Sequence, residues 1–319
     1  MRTLRPTSLL LALHLLACGD ARDAAPHAGD DVAAAGVAAT DDAGRVIRLD
    51  GPAVRVVSLV PSVTDVILAL GLESRLIART EYDVDPRLAS LPSVGPGLTP
   101  NIEWLAARAP DLVIAWRDVE GRALVNRLGE LGIPVYASRL EDVPTALTTI
   151  TRVGVLLGQP ARADSLRASM GARLDSVRLA ARDRTAPSVL YLIGGDPPYT
   201  PGTGTFVDDL IEIAGGRNLF ADLGDGWHSV SVEEVVRRDP DLIVIPVHGS
   251  EAGVARALAR RPGWRDLRAV RDDRVHEVDG ELFGRPGPRL DRAAAALSDL
   301  LGRTGTRAGA RARARGETP

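Results

Sequence analysis

The sequence contains no lysine, so all 39 of its basic residues are arginines. This absence excludes the lysine of a phosphate-binding loop, a Schiff-base lysine and a lysine general base. Cys18 is the only cysteine, which excludes disulfides within the chain, cysteine-bound iron–sulfur clusters and zinc sites of the CxxC type. After residue 17 there is no long apolar run, and the net charge is only −3. The remainder of the chain therefore has neither a predicted membrane span nor the charge that favours nucleic acid.

The N-terminus has the pattern of a bacterial secretory signal. Two arginines precede an apolar run of mostly leucine, and small residues follow it. Cys18 comes directly after Leu-Leu-Ala, where bacterial lipoproteins carry the cysteine that is lipidated. We expect a signal peptide over residues 1–17, a lipid anchor at Cys18 and a flexible acidic tether that runs from there to residue 50. The alternative is an ordinary signal peptide with a cysteine there by chance.

Strands and helices alternate along the rest of the chain, which is typical of parallel sheets with helices on both faces. The strands fall into two series, separated by a segment without strands. That segment contains a predicted helix from about Pro160 to Arg182, roughly 33 Å long at 1.5 Å per residue. We predict an α/β fold of two similar lobes, with parallel sheets flanked by helices, joined by a long rigid interlobe helix. The predicted divisions are an N-terminal lobe (51–140), a helical connector (141–184), a C-terminal lobe (185–303) and a disordered basic tail (304–319).

Two segments, residues 101–115 and 231–245, match each other without a gap. Each begins with an N-cap residue, continues as a short amphipathic helix, breaks at Pro-Asp and enters an apolar strand. Such a repeat indicates two lobes of one architecture. Glu103 and Glu233 occupy the same place in the two copies, and we expect them to form a symmetric pair of exposed charges for docking.

Two other interpretations of these glutamates remain. Each carboxylate could simply stabilise the first turn of its helix. Alternatively, the pair could be the acid and base of a secreted hydrolase, but such carboxylates must lie within about 10 Å of each other. The repeat instead predicts that they lie on separate lobes.

Aromatic residues make up only 3% of the chain, and five of them follow predicted strands or lie in loops before helices. These are Tyr82, Trp116, Tyr199, Trp227 and Phe283. Ligands bind at the carboxyl edge of open parallel sheets, so the positions predict a crevice for a flat or bulky apolar ligand. The histidines of the second lobe, His228, His248 and His276, lack the close spacing of a metal site, and we predict no metal.

From about Val54 to Leu301 the sequence resembles the substrate-binding proteins of ABC importers for cobalamin and iron chelates, and most of all the cobalamin-binding members. The stretches that carry this resemblance are 55–65, 80–86, 101–103, 110–117, 196–200, 227–231 and 283–289. The resemblance implies two lobes that hold a ligand between them, and one glutamate on each lobe, here Glu103 and Glu233, that docks on arginines of the permease. It also implies that the five aromatic residues contact the ligand, with Arg285 as a polar contact.

The function implied by this resemblance is capture of a corrinoid such as cobalamin and its delivery to the transmembrane subunits of an ABC importer. The protein would be an extracytoplasmic, lipid-anchored monomer, with no enzymatic activity and no cofactor. A ferric siderophore or haem is the alternative ligand. A lipoprotein scaffold without a small ligand is a third possibility, which the clustered aromatic residues count against.

Overall fold

The fold is seen in a computed structural model, which describes residues 36–194, 196–249 and 253–314, without the side chains of residues 119, 120 and 304–314. The predicted signal peptide, Cys18 and the first part of the predicted tether lie outside these residues, as do residues 315–319. Within the described part of the chain, no helix is both long enough and apolar enough to cross a membrane.

The described residues form twelve strands and eleven α-helices. The strands are β1 (Val37–Thr40), β2 (Val46–Leu49), β3 (Val56–Ser58), β4 (Leu76–Ala78), β5 (Leu112–Trp116), β6 (Val135–Ser138), β7 (Ser188–Tyr191), β8 (Tyr199–Pro201), β9 (Arg217–Asn218), β10 (Trp227–Ser229), β11 (Leu242–Val247) and β12 (Val275–Asp279). The helices are α1 (Pro61–Ala69), α2 (Ile102–Arg108), α3 (Val119–Glu130), α4 (Val143–Leu156), α5 (Pro160–Ala181), α6 (Phe206–Ile213), α7 (Val232–Arg238), α8 (Val254–Leu258), α9 (Arg268–Arg271), α10 (Gly280–Phe283) and α11 (Leu290–Ala314).

Two four-stranded parallel sheets share one topology. The N-terminal lobe contains the sheet β4-β3-β5-β6, and the C-terminal lobe contains the sheet β9-β7-β11-β12. The first strand of each series therefore pairs with the second and third strands, and the third strand pairs with the fourth. The repeated segments of the sequence become α2–β5 in one lobe and α7–β11 in the other. This arrangement confirms the predicted fold of two similar α/β lobes.

Helices α2 and α7 begin and end in the same way. The side chains of Asn101 and Ser231 each accept a hydrogen bond from the backbone N–H three residues further on, at 2.9 and 3.1 Å. These are N-caps, as the sequence predicts. Each helix ends at a residue in the left-handed conformation, Ala109 (φ 42°) or Asp239 (φ 43°). The proline that follows cannot continue the helix, and the chain enters the central strand of its sheet.

The long helix α5 joins the lobes through one shared core. Its buried residues Ala163, Met170 and Leu174 belong to a hydrophobic cluster that also contains residues of β3 and α1 from the N-terminal lobe and of β7 and α6 from the C-terminal lobe. Close-packed interiors resist displacement, so moving one lobe against the other would disturb many of these contacts. The bounds of α5 agree with the predicted interlobe helix, which ends only one residue later.

Two predicted divisions of the chain differ from the structure. Residues 36–50, predicted as the end of a flexible tether, include the antiparallel hairpin β1–β2, in which Val37 pairs with Leu49. Alternating apolar residues on both sides of an Asp- and Gly-containing turn favour this hairpin. Residues 304–314, predicted to be disordered, continue helix α11. Their alanines and arginines have high helix propensity, which outweighs the glycines among them.

Candidate ligand-binding site

The carboxyl edges of the two sheets face each other. At one point the loop after β6 meets α6, where the N–H of Phe206 donates to the carbonyl oxygen of Glu141 and the N–H of Val143 donates to the Asp209 carboxylate at 2.8 Å. At another point the loop between α10 and α11 reaches the N-terminal lobe and contacts α1. Because these loops follow the last strand of each sheet, the edges at which ligands bind in parallel sheets are turned toward each other.

The C-terminal lobe supplies an aromatic platform of Tyr199, Trp227 and Tyr191. Tyr199 and Trp227 are stacked, with ring centroids 5.8 Å apart and an interplanar angle of 16°, because β8 and β10 pair antiparallel. Trp227 meets the ring of Tyr191 edge to face at 6.3 Å. Tyr199 is 41% exposed, so the platform has an open face. Aromatic surfaces of this size suit a flat apolar ligand.

Tyr191, which the sequence analysis did not single out, supports the platform from within the lobe. It is only 2% exposed, and its hydroxyl donates to the carbonyl oxygen of Phe283 at 3.0 Å. Burial raises the pKa of Tyr191 well above its usual value, because the phenolate would lose its solvation. The signal that could have identified it is a tyrosine at the last position of a buried parallel strand.

Two residues predicted to contact ligand have other surroundings in the structure. Phe283 is 3% exposed and packs into the shared core, since it lies in the last turn of a short helix that faces that core. The Arg285 guanidinium lies 2.6 Å from the Glu281 carboxylate and 3.8 Å from the Asp65 carboxylate, and it also donates to the carbonyl oxygen of Tyr82. The structure thus places Phe283 behind the platform and Arg285 between the lobes.

Asp65 is the N-terminal-lobe partner in a charged cluster that we call the interlobe clasp, formed with Glu281, Arg285 and Arg289. Its carboxylate lies 3.2 Å from the guanidinium of Arg289 as well as 3.8 Å from that of Arg285. Burial raises the pKa of Asp65, and the two arginines oppose that shift. The cluster joins the lobes on the side of the loop between α10 and α11.

The N-terminal lobe contributes Trp116, the last residue of β5. It packs against the same core as Trp227, which brings both indoles to the facing edges. Trp116 lines a cavity of about 320 Å³ together with Arg117, Arg122 and Arg139. Arg139 is paired with a glutamate, whereas Arg117 and Arg122 form no ion pair with any side chain that the structure describes. The cavity is also lined by the carboxylates of Asp118, which accepts the Gly121 N–H, and Glu141, which pairs with Arg139. The two guanidinium groups without an ion pair favour a ligand with an anionic substituent.

Tyr82 lies in the loop after β4 and is 54% exposed. Its carbonyl oxygen accepts the hydrogen bond from Arg285, so this loop borders the junction of the lobes. Of the six predicted ligand contacts, the structure therefore brings Tyr82, Trp116, Tyr199 and Trp227 to the facing edges.

A family model for periplasmic binding proteins matches residues 56–282. The chain belongs to the periplasmic binding protein family. It is accordingly a binding protein and not an enzyme, and what it carries is a ligand and not a cofactor, as the sequence predicts.

Individual relatives of this periplasmic binding protein agree with the assignment. The chain is 28% identical over 302 residues to the ABC transporter substrate-binding lipoprotein YvrC of Bacillus subtilis, covering 92% of this chain and 94% of that protein. The vitamin B12 binding protein BtuF of Vibrio cholerae matches with a TM-score of 0.70 and 27% identity, covering 79% of this chain and 98% of that one. The heme-binding protein RhuT of Roseiflexus sp. RS-1 matches with a TM-score of 0.69 and 29% identity, at the same two coverages.

In this binding protein Glu103 and Glu233 occupy equivalent exposed positions in the first turns of α2 and α7. Neither forms an ion pair with another residue in the described part of the chain. The neighbouring Glu234, by contrast, is paired with Arg237 and Arg238. The two free carboxylates are thus available to a partner at matching places on the two lobes.

The structure places the three histidines of the second lobe in different surroundings. His228 Nε2 lies 3.2 Å from the carbonyl oxygen of Gly224, His248 Nδ1 lies 3.3 Å from the Glu281 carboxylate, and His276 lies in β12 opposite Val244 of β11. Among the described residues, no group of three or more His, Cys, Asp or Glu side chains is arranged to hold a metal ion.

Proposed function

We propose that this protein is an extracytoplasmic substrate-binding protein that captures a corrinoid such as cobalamin between its lobes and delivers it to an ABC importer. The observation that carries the proposal is the pair of aromatic surfaces on facing sheet edges. The platform of Tyr199 and Trp227 lies on one lobe and Trp116 on the other, and a ring system wider than one aromatic side chain would contact both. The similarity to a vitamin B12 binding protein supports the same ligand class.

Haem or a ferric siderophore is the second candidate ligand. Arg117 and Arg122 beside Trp116 favour it, because carboxylates on such ligands would form charge-assisted hydrogen bonds with guanidinium groups. The similarity to a heme-binding protein points in the same direction.

A ligand titration separates the two candidates. The purified full-length protein, held in detergent, is mixed with cyanocobalamin, haemin or a ferric hydroxamate siderophore, and absorption and tryptophan fluorescence are recorded. We expect saturable quenching with cyanocobalamin, since Trp116 and Trp227 would both contact the ring. Saturation with haemin or the siderophore alone would move the assignment to the second candidate.

Delivery would proceed through Glu103 and Glu233, one on each lobe of a monomer. An importer with two similar transmembrane subunits presents two similar docking surfaces, and each glutamate would meet one of them through arginine. We further propose that lipid on Cys18 keeps the protein at the membrane where the importer lies. The similarity to a lipoprotein supports this anchor.

A further inference from the structure

The hairpin β1–β2 is bound to the outer edge of the N-terminal sheet. Asp41 organises its turn, because the buried carboxylate accepts hydrogen bonds from the backbone N–H groups of Ala43 (3.0 Å) and Arg45 (2.8 Å) and from the Arg45 guanidinium. Arg45 also donates to the carbonyl oxygen of Val135 in β6 at 3.2 Å. Since β6 is an edge strand, the turn covers backbone groups that would otherwise be open to solvent.

Asp42 extends these contacts toward the ligand edge of the sheet. Its backbone N–H donates to the carbonyl oxygen of Ala137 at 3.0 Å, and its carboxylate accepts from the N–H of Arg139 at 2.7 Å. The other carboxylate oxygen lies 2.5 Å from the Arg152 guanidinium on α4. The Asp42 side chain is nearly buried, and hydrogen bonds shielded from water are stronger than exposed ones.

The segment held by these contacts is a wall of the candidate site. Residues 139–141 line the same cavity as Trp116. The carbonyl oxygen of Glu141 accepts the hydrogen bond from Phe206 in the C-terminal lobe. Asp42 is bonded to the first residue of this wall and to Arg152 on the helix that follows it, so it links the start of the wall to that helix.

We propose that Asp42 is a positioning residue of the ligand site, and that the hairpin exists to hold the wall 139–141 in register with Trp116 and with the C-terminal lobe. The hairpin lies outside residues 56–282, the part matched by the family model. The inference rests on the proposed function in one respect, namely that the cavity beside Trp116 receives part of the ligand.

The test compares Asp42→Ala and Asp42→Asn with a matched control, Asp241→Ala. Asp241 also accepts a backbone N–H, from Ser188 at 2.9 Å, and also lies beside an arginine, Arg268 at 3.1 Å. It precedes β11 and therefore lies at the opposite, amino-terminal edge of its sheet. Its removal should lower stability in a similar way without touching the ligand edge.

In titrations of the full-length protein with cyanocobalamin, haemin and the siderophore, Asp42→Ala should weaken binding of whichever ligand saturates wild type about tenfold, because a residue that acts on a site without contacting the ligand typically changes the binding free energy by about 0.5–2 kcal/mol. Asp42→Asn should weaken it less, because the amide oxygen still accepts the Arg139 N–H. Asp241→Ala should bind the ligand with the same affinity as wild type. Unchanged affinity in Asp42→Ala, or an equal loss in Asp241→Ala, would overturn the positioning role.

Amide hydrogen exchange without ligand keeps this test independent of the proposed function. Asp42→Ala should speed exchange at residues 139–141 and at the Phe206 amide, whereas Asp241→Ala should leave these amides as in wild type. If wild type binds none of the three ligands, the proposed function fails, and the exchange pattern still decides the role of Asp42. Unchanged exchange at the wall would show that Asp42 does not hold it.

Discussion

The guanidinium of Arg285 in the C-terminal lobe lies 3.8 Å from the carboxylate of Asp65 in the N-terminal lobe, and it also donates a hydrogen bond to the carbonyl oxygen of Tyr82. The lobes are therefore joined by this charged contact as well as by helix α5 and the hydrophobic core that both lobes share. We therefore expect the lobes to rock by small angles on ligand binding and not to close widely around the ligand. We expect small-angle scattering of the free and ligand-loaded protein to give nearly the same radius of gyration. A large decrease on ligand binding would contradict the rigid connection.

Removal of Arg285 from the interlobe clasp should lower the stability of the folded protein. Arg285→Ala leaves the half-buried carboxylates of Asp65 and Glu281 with fewer partners, and we expect the free energy of unfolding to fall by about 1–3 kcal/mol. Arg127→Ala is the control, because its ion pair with Glu130 is exposed and should contribute less than about 1 kcal/mol. Urea unfolding of both variants measures the two losses of unfolding free energy. Equal losses would show that the clasp stabilises the protein no more than an exposed ion pair does.

The aromatic platform should dominate ligand affinity. Trp227→Ala removes the ring that stacks on Tyr199 and contacts Tyr191, and we expect binding to weaken by about 2 kcal/mol or more, as for a central aromatic contact. Trp227→Phe keeps an aromatic face and should lose less. Trp104→Ala is the control, since this half-buried indole on α2 lies under the Arg108 guanidinium and away from the platform. Calorimetric titration gives the ranking, and equal effects for Trp104 and Trp227 would refute the assigned site.

Asp208 should make stability depend on pH. Its buried carboxyl accepts a hydrogen bond from the Asn218 amide at 2.8 Å. Burial raises the pKa of Asp208, and the bond from Asn218 opposes the shift. The folded state therefore keeps this proton to higher pH than the unfolded chain, so the group's contribution is present at low pH and is lost as pH rises through its folded pKa.

Asp208→Asn removes this titration, so its unfolding free energy relative to wild type should rise as pH is raised from about 4 toward neutral. Asn218→Ala should have the opposite effect, because it removes the bond that opposes the raised pKa of Asp208. Urea unfolding at several pH values checks both signs. A difference between Asp208→Asn and wild type that does not change with pH would contradict the assigned pKa shift.

Asp111 and Asp241 illustrate which parts of the fold could be predicted from the sequence and which could not. The repeat predicts that each follows a helix and precedes a strand, which is correct because caps, prolines and apolar runs act locally. In the structure, Asp111 accepts the backbone N–H groups of Val54 and Arg55, and Asp241 accepts that of Ser188. These bonds fix the first strand of each lobe beside the third. Their partners lie more than fifty residues away, and no local period identifies them.

For the candidate site, the sequence predicts positions along the chain better than it predicts the contacts that each side chain makes. Scarce aromatic residues at strand ends or in loops before helices predict that Trp116 and Trp227 lie where open parallel sheets bind ligands, and in the structure Trp116 ends β5 while Trp227 begins β10. The same pattern fits an aromatic residue that turns inward, which is what Phe283 does. The roles of Arg285 and Asp42 depend on which acids and backbone groups the tertiary fold brings near them, and composition carries no such information.

The lipid anchor can be tested directly in cells. Cys18→Ser removes the thiol that lipid would modify, and we expect the variant to appear as soluble or unprocessed protein, because one polar substitution abolishes the anchor. Ligand affinity of the purified variant should match wild type, which serves as the control for folding. Membrane fractionation that is unchanged from wild type would show that Cys18 is not the anchor.

Glu103 and Glu233 should act in docking and not in ligand binding. Both are exposed in the first turns of equivalent helices, where exposed charges mainly set encounter rate and register. The double variant Glu103→Ala, Glu233→Ala should keep its ligand affinity but lose transport and association with the permease, and the difference from wild type should shrink as salt rises. Glu130→Ala, an exposed glutamate on α3, is the matched control and should transport normally. Stabilisation of the helix N-termini alone would cost only a few tenths of a kcal/mol in unfolding and leave transport intact. A loss of ligand affinity in the double variant, with transport falling only in proportion, would instead place the two glutamates in the binding site.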